Sequence, residues 1–351
     1  MASNYRKKRY RIRYDRIIFV AAIFIVLILI LTACVNSCTN KDKKPGKNNN
    51  SIVDNMSSTE TSSGNNSSLI ITTTEPQITH AETTLHATDI HKGDLILVNA
   101  ANPCRFDSVA IENGISDDVQ FVTIKSVLDS RSKPLPYTAK DWEVGMDKDA
   151  AMALDTWLAD FYRTSGNNDI RMIAGYRSDA EDLDYRTGRT CKLGVFPETG
   201  SSYFYKNEGT FAWVASNAKN YGYILRYPDG KEGFFDSTIT KNTSATFRYV
   251  GVAAATYIAE NNLCLEEYLV TVKSYTIDNM LRITNGGTNY GVYYVPANAN
   301  GDTRFSVPAD PSSYEISGNN MDGFVVTVTL NGMTTEIPEA TQSATNTIIF
   351  N

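Results

Sequence analysis

Histidine, the side chain best suited to bind a metal or move a proton near neutral pH, does not occur beyond His91. His80, His86 and His91 all lie in or at the end of a Ser/Thr-rich stretch. Metal or acid–base chemistry in residues 92–351 therefore falls to cysteine and the carboxylates. Cys34 and Cys38 border an apolar run, while Cys104, Cys191 and Cys264 lie beyond it, with no CxxC pair. Three cysteines admit one disulfide plus one free thiol in an oxidising compartment, or three separate buried thiols. Leu31-Thr32-Ala33-Cys34 reads as a lipobox, in which Cys34 would carry lipid after cleavage.

The elements that must position such groups begin near Gly93. Leu95-Ile96-Leu97-Val98-Asn99 reads as a short strand. Ala150, Leu154, Trp157, Leu158 and Phe161 recur at helical spacing, so residues 147–163 are expected to form a helix with one buried face. Ile170 to Ala174 reads as a strand running into Gly175-Tyr176-Arg177-Ser178. A second amphipathic helix is expected over 208–221, stopped by Gly222. A strand follows at 223–227, then a Pro-Asp-Gly turn. A third, alanine-rich helix is expected over 250–260. Interleaved strands and helices predict an α+β domain over 92–272. Beyond it, 290–295, 303–307 and 324–330 read as strands of a small all-β appendage, 273–351. Trp142 and the tyrosines of the appendage suit sugar stacking in principle, but a packed core or sheet face accounts for them more simply.

The chain of 351 residues has a net charge of −6. Residues 1–16 carry seven Arg/Lys and one Asp, so the remainder is acidic. That balance argues against nucleic acid as a partner. Residues 17–33 are apolar and uncharged, about the lower limit for a spanning helix. With the basic flank they predict a cytoplasmic tail (1–16), a transmembrane anchor or lipoprotein signal (17–36), and a bulk facing the cell wall. Residues 37–91, rich in Ser, Thr and Asn, are expected to be a disordered linker.

Three stretches carry a resemblance. They are Gly93-Asp-Leu-Ile-Leu-Val-Asn-Ala-Ala-Asn-Pro, Ala174-Gly-Tyr-Arg-Ser, and the block from Asn207 to Glu232, continued by Phe247-Arg-Tyr-Val-Gly and Leu265-Glu-Glu-Tyr-Leu. Together they resemble the VanY-like D-alanyl-D-alanine carboxypeptidases, zinc peptidases of the bacterial cell wall. The resemblance implies an antiparallel sheet flanked by helices. It also implies a zinc held by an SxHxxGxxxD motif and the His of EPWH, whose Glu is the general base. Three protein ligands leave a position where the metal can activate water.

Both motifs are altered. The first aligns Arg189 with the Ser, Cys191 with the His, Gly194 with the Gly and Glu198 with the Asp. The second reads Thr243-Ser-Ala-Thr246, so Thr246 stands at the ligand and Thr243 at the base. Threonine is a poor zinc ligand and no base near neutral pH. Cys191 and Glu198 could chemically bind zinc, with Asp236 as a third donor, but no recognised spacing joins them. No cofactor is therefore expected. Arg177 and Ser178 are the substrate-binding candidates: an Arg fork suits a peptide carboxylate, or else it ties the strand end to Asp179 or Asp182. Tyr176, Trp213 and Arg248 read as fold residues. The expected function is an inactive relative that binds the peptidoglycan stem peptide. The alternatives are an active zinc D,D-carboxypeptidase with a divergent site, or a scaffold for an envelope protein.

Overall fold

The computed structural model describes residues 79–141, 143–235 and 243–330. In chain order its strands are His80–Leu85 (β1), Phe121–Thr123 (β2), Thr138–Ala139 (β3), Gly145–Asp147 (β4), Ile170–Ala174 (β5), Thr190–Val195 (β6), Tyr203–Phe204 (β7), Tyr223–Leu225 (β8), Thr246–Tyr249 (β9), Leu281–Asn285 (β10), Thr288–Pro296 (β11), Thr303–Pro308 (β12), Tyr314–Gly318 (β13) and Gly323–Thr329 (β14). The α-helices are Ser108–Glu112 (α1), Ile124–Asp129 (α2), Lys148–Ser165 (α3), Ala212–Asn217 (α4), Val252–Glu260 (α5) and Leu265–Thr271 (α6). Helices packed on small, mostly antiparallel sheets make the fold α+β, as expected.

The central sheet runs β3-β5-β6-β9-β8, with β7 added alongside β6. Its inner face is covered by α3. Asp147 caps that helix by accepting from the Asp149 amide at 3.2 Å, and Gly166 closes it at φ 70°. The apolar stripe of α3 meets Met172, Cys191, Leu193, Tyr223 and Phe247 in one core. Trp157 is fully buried there, stacked on Tyr223 and edge-on to Phe247, each with centroids 5.1 Å away. Its indole N–H donates to the Val214 carbonyl at 3.1 Å, so the ring loses no hydrogen bond on burial.

A second core joins α5 and α6 to the four-stranded sheet β10-β11-β14-β13. Leu265, Tyr268 and Leu269 pack there with Leu281, Val292 and Val325. The second expected helix is broken into two 3-10 turns around α4, ending at Gly222 with φ 78°. A Cβ at Gly222 would lie 2.6 Å from the Tyr249 ring, so the position excludes a side chain.

Two local expectations change. Leu95–Val98 is buried but forms no strand. Its backbone is satisfied singly: Leu97 N donates to Asn319 O, Leu95 N to Ser317 Oγ, and Arg248 donates to the carbonyls of Asp94 and Ile96. Order also reaches back into the expected linker. His80–Leu85 pairs antiparallel with β12 across more than two hundred residues, a partner that local composition does not reveal.

The expected cell-membrane localisation is corrected. Among the described residues no helix is long and apolar enough to cross a membrane. The 18-residue α3 is amphipathic, with Lys148, Asp149, Asp160 and Arg163 breaking its apolar surface. Residues 1–78, including the apolar run and Cys34, lie outside the described residues, as do Trp142 and Asp236.

Candidate functional site

The two altered motifs fold onto adjacent strands. In the register of the central sheet, Ala174, Lys192 and Thr246 stand side by side, and Thr190 pairs with Arg248. Side chains alternate across a strand. Cys191, Leu193 and Phe247 therefore point into the core beneath α3. Thr190, Lys192, Thr246 and Arg248 belong to the opposite, polar face.

That face is built on a buried charge cluster. Asp184, 1% exposed, accepts from Arg248 Nη1 at 2.7 Å and from the Thr190 hydroxyl, and lies 3.3 Å from Arg226 Nε. Arg226 also grips Glu266 of α6 with both terminal nitrogens, at 2.9 and 3.1 Å. Burial alone would raise the Asp184 carboxyl, but Arg248 and Arg226 outweigh it and hold it below the usual range. Arg189, aligned with the motif serine, is bound in the same region by Asp94 at 2.5 Å and the Thr187 carbonyl at 3.0 Å.

Thr246, the expected counterpart of the ligand, is buried. Its hydroxyl meets the Tyr185 phenol at 3.4 Å. Beside it, Lys192 is half-buried with Nζ 5.1 Å from the Phe204 ring centroid. Burial lowers the Lys192 amine and Asp182 partly offsets this. Asp182 is itself raised by burial and by the charge of Asp184. Its Oδ1 accepts from the Tyr227 hydroxyl at 2.7 Å and the Asp184 amide at 3.2 Å. Thr243, at the base position, begins a 3-10 turn that ends at Ala245.

The remaining candidates lie elsewhere. Cys191 is fully buried and its thiol is pushed up by desolvation. Glu198 is exposed in the β6–β7 connection. Arg177 is exposed and paired with Asp179 at 3.2 Å, and Ser178 next to it is half-buried. Cys104, Cys191 and Cys264 are all free thiols. His86 faces Asp302 and His91 bonds Asn320, both of the C-terminal part.

The groups around Thr246 do not fit zinc. Catalytic zinc takes imidazole, thiolate or carboxylate donors. Here the described neighbours are two neutral hydroxyls, an ammonium and a carboxylate already engaged by Tyr227. Among the described residues no three His, Cys, Asp or Glu side chains form a group able to hold a metal.

Lys192, Tyr185 and Asp184 escaped the sequence reading. The pattern Thr190-Cys-Lys-Leu-Gly-Val195 did hold one signal. Its period of two places Cys191 with Leu193 and Val195, facing in, and Lys192 facing out. Motif spacing alone favoured Cys191.

No family model matches the chain. A D-alanyl-D-alanine carboxypeptidase of Enterococcus faecium is 27% identical over 263 residues, covering 70% of this chain and 78% of that relative. A D-alanyl-D-alanine carboxypeptidase of Enterococcus faecalis is 43% identical over 63 residues, 18% of this chain and 22% of its own length. Among solved structures, the vancomycin-resistance D,D-dipeptidase VanXYg, in complex with a D-Ala-D-Ala phosphinate analogue, matches with a TM-score of 0.54 at 24% identity. That match covers 72% of this chain and 99% of the other, and it shows a shared fold.

Proposed function

From its resemblance to the VanY-like D-alanyl-D-alanine carboxypeptidases, 27% identical over 263 residues to one of them, we propose that the chain binds the stem peptide of peptidoglycan and does not hydrolyse it. The observation that carries this reading is the environment of Thr246. Where the family has a histidine ligand, this chain has a hydroxyl facing the Tyr185 phenol, with the Lys192 amine in register beside it. An ammonium repels a dication, and threonine at 243 supplies no base. The surrounding scaffold shares the fold of a solved relative, and a buried Asp184–Arg248 pair fixes β9 against the turn before β6. A shared fold with an altered reactive centre supports binding over turnover. Arg177 and Ser178, just beyond the end of β5, are the proposed rim contacts for the peptide.

The test is direct. Full-length chain is incubated with zinc, desalted and mixed with a pentapeptide ending in D-Ala-D-Ala. The expected result is less than stoichiometric zinc and no released D-alanine, together with measurable peptide binding. One zinc per chain with steady D-alanine release would replace this reading by the active-enzyme one.

A further inference from the structure

The polar face of the central sheet carries a cation whose counter-ion is not supplied by the described chain. Lys192 occupies the middle of the row Ala174–Lys192–Thr246. Among the described residues no carboxylate lies within ion-pair distance of it. Asp182 acts on it only at longer range, with one oxygen taken by Tyr227 and the Asp184 amide. The contact that does hold the amine is the Phe204 ring, a cation–π interaction that leaves its hydrogen-bond donors free.

Phe204, the ring against this amine, also lines an open cleft of about 420 Å³. Ile173, Phe196, Tyr203, Phe204, Lys206 and Ser244 line it. Tyr203 and Phe204 are 43% and 45% exposed, a high value for two adjacent aromatics. Gly194 lies beneath, where a Cβ would come within 2.8 Å of the Phe196 ring. The Arg171 guanidinium sits 4.2 Å from the centroid of that ring. Lys206 is the charged residue among the described lining residues, Arg171 and Lys192 stand against the lining rings of Phe196 and Phe204, and no carboxylate is among those lining residues. A half-buried ammonium beside an apolar wall favours an anion attached to a small apolar body. Reduced solvation strengthens such a pair relative to one at the exposed Arg177.

We propose that Lys192 is the carboxylate-binding residue of this site, holding the free C-terminus of a peptide while the Ile173–Phe196–Tyr203–Phe204 wall takes its small terminal side chains. This rests on the peptide-binding reading above and assigns the group that would anchor the ligand. The amine acts by binding, and no bond is made or broken.

The experiment is calorimetric titration of the full chain with diacetyl-L-Lys-D-Ala-D-Ala, as the free acid and as the C-terminal amide. Native protein is expected to prefer the acid by about tenfold or more, the scale of one charge-assisted hydrogen bond. Lys192→Met should bind acid and amide equally, Lys192→Arg should keep the preference, and Arg177→Ala should keep most of it. Urea midpoints of the variants establish that each is folded. Native protein that binds acid and amide alike, or Lys192→Met that still prefers the acid, overturns the Lys192 assignment and leaves peptide binding standing. Native protein that binds neither ligand overturns the peptide-binding reading, and the assignment with it.

Discussion

Asp184 shows how much one buried side chain can organise. It neutralises Arg248 and Arg226, which are themselves buried, and so ties the turn before β6 to β9 and, through Glu266, to α6. Removing one partner of such a cluster leaves charge without compensation. Asp184→Asn is expected to cost about 3–5 kcal/mol, read as a lower urea midpoint at pH 7. The sign with pH follows from its lowered carboxyl. Its stabilisation is fully present above the unfolded value near 3.8 and is lost as pH falls through the lower folded value. Native protein should therefore lose stability between pH 4 and pH 2 more steeply than Asp184→Asn, when urea midpoints are followed across that range. Cys191 gives a second prediction. Its thiol is fully buried and pushed up by desolvation, and the thiolate is the reactive form. Iodoacetamide should leave Cys191 unmodified in the folded chain and alkylate it on unfolding, as read by peptide mass spectrometry. Rapid native labelling would place the thiol at the surface and reopen its candidacy as a ligand.

At the scale of elements, the strand β6 decides the chemistry. Alternation sends Cys191 under α3 and Lys192 to the open face, a choice fixed by Leu193 in the same core and by the burial of Val195. The helix stop at Gly222 has comparable leverage, because the turn delivers β8 to β9. Alanine there would need a left-handed backbone at φ 78° and would press its Cβ against Tyr249. Gly222→Ala is expected to destabilise by at least about 1–2 kcal/mol, measured by thermal unfolding. The helix over 148–165, the strands at β5 and β8, and the C-terminal strands β11, β12 and β14 were legible beforehand, since each carries its own period and stop signal, whereas β10 and β13 were not. The broken helix around α4 was less so. Its apolar spacing is helical throughout, yet α4 keeps only six residues of α-helix between two 3-10 turns.

At the scale of the whole molecule, the C-terminal sheet and the helices α5 and α6 share one core. A chain ended after Ser274 would expose the apolar faces of both helices. It is expected to bind a hydrophobic dye such as ANS and to lack a cooperative thermal transition, whereas the chain to Asn351 unfolds cooperatively; a sharp transition in the truncated form would mean the helices need no such cover. Sequence alone determined the α+β class, the resemblance to a family, and the absence of histidine beyond His91, because these depend on local periodicity and on residue identity. It did not determine the partner of β1, the unpaired course of Leu95–Val98, or which of Cys191 and Lys192 faces the site. Those were decided by tertiary structure, because hydrogen-bond partners hundreds of residues apart and the packing of one sheet face against α3 are set by the three-dimensional closure of the chain and leave no mark at any single position.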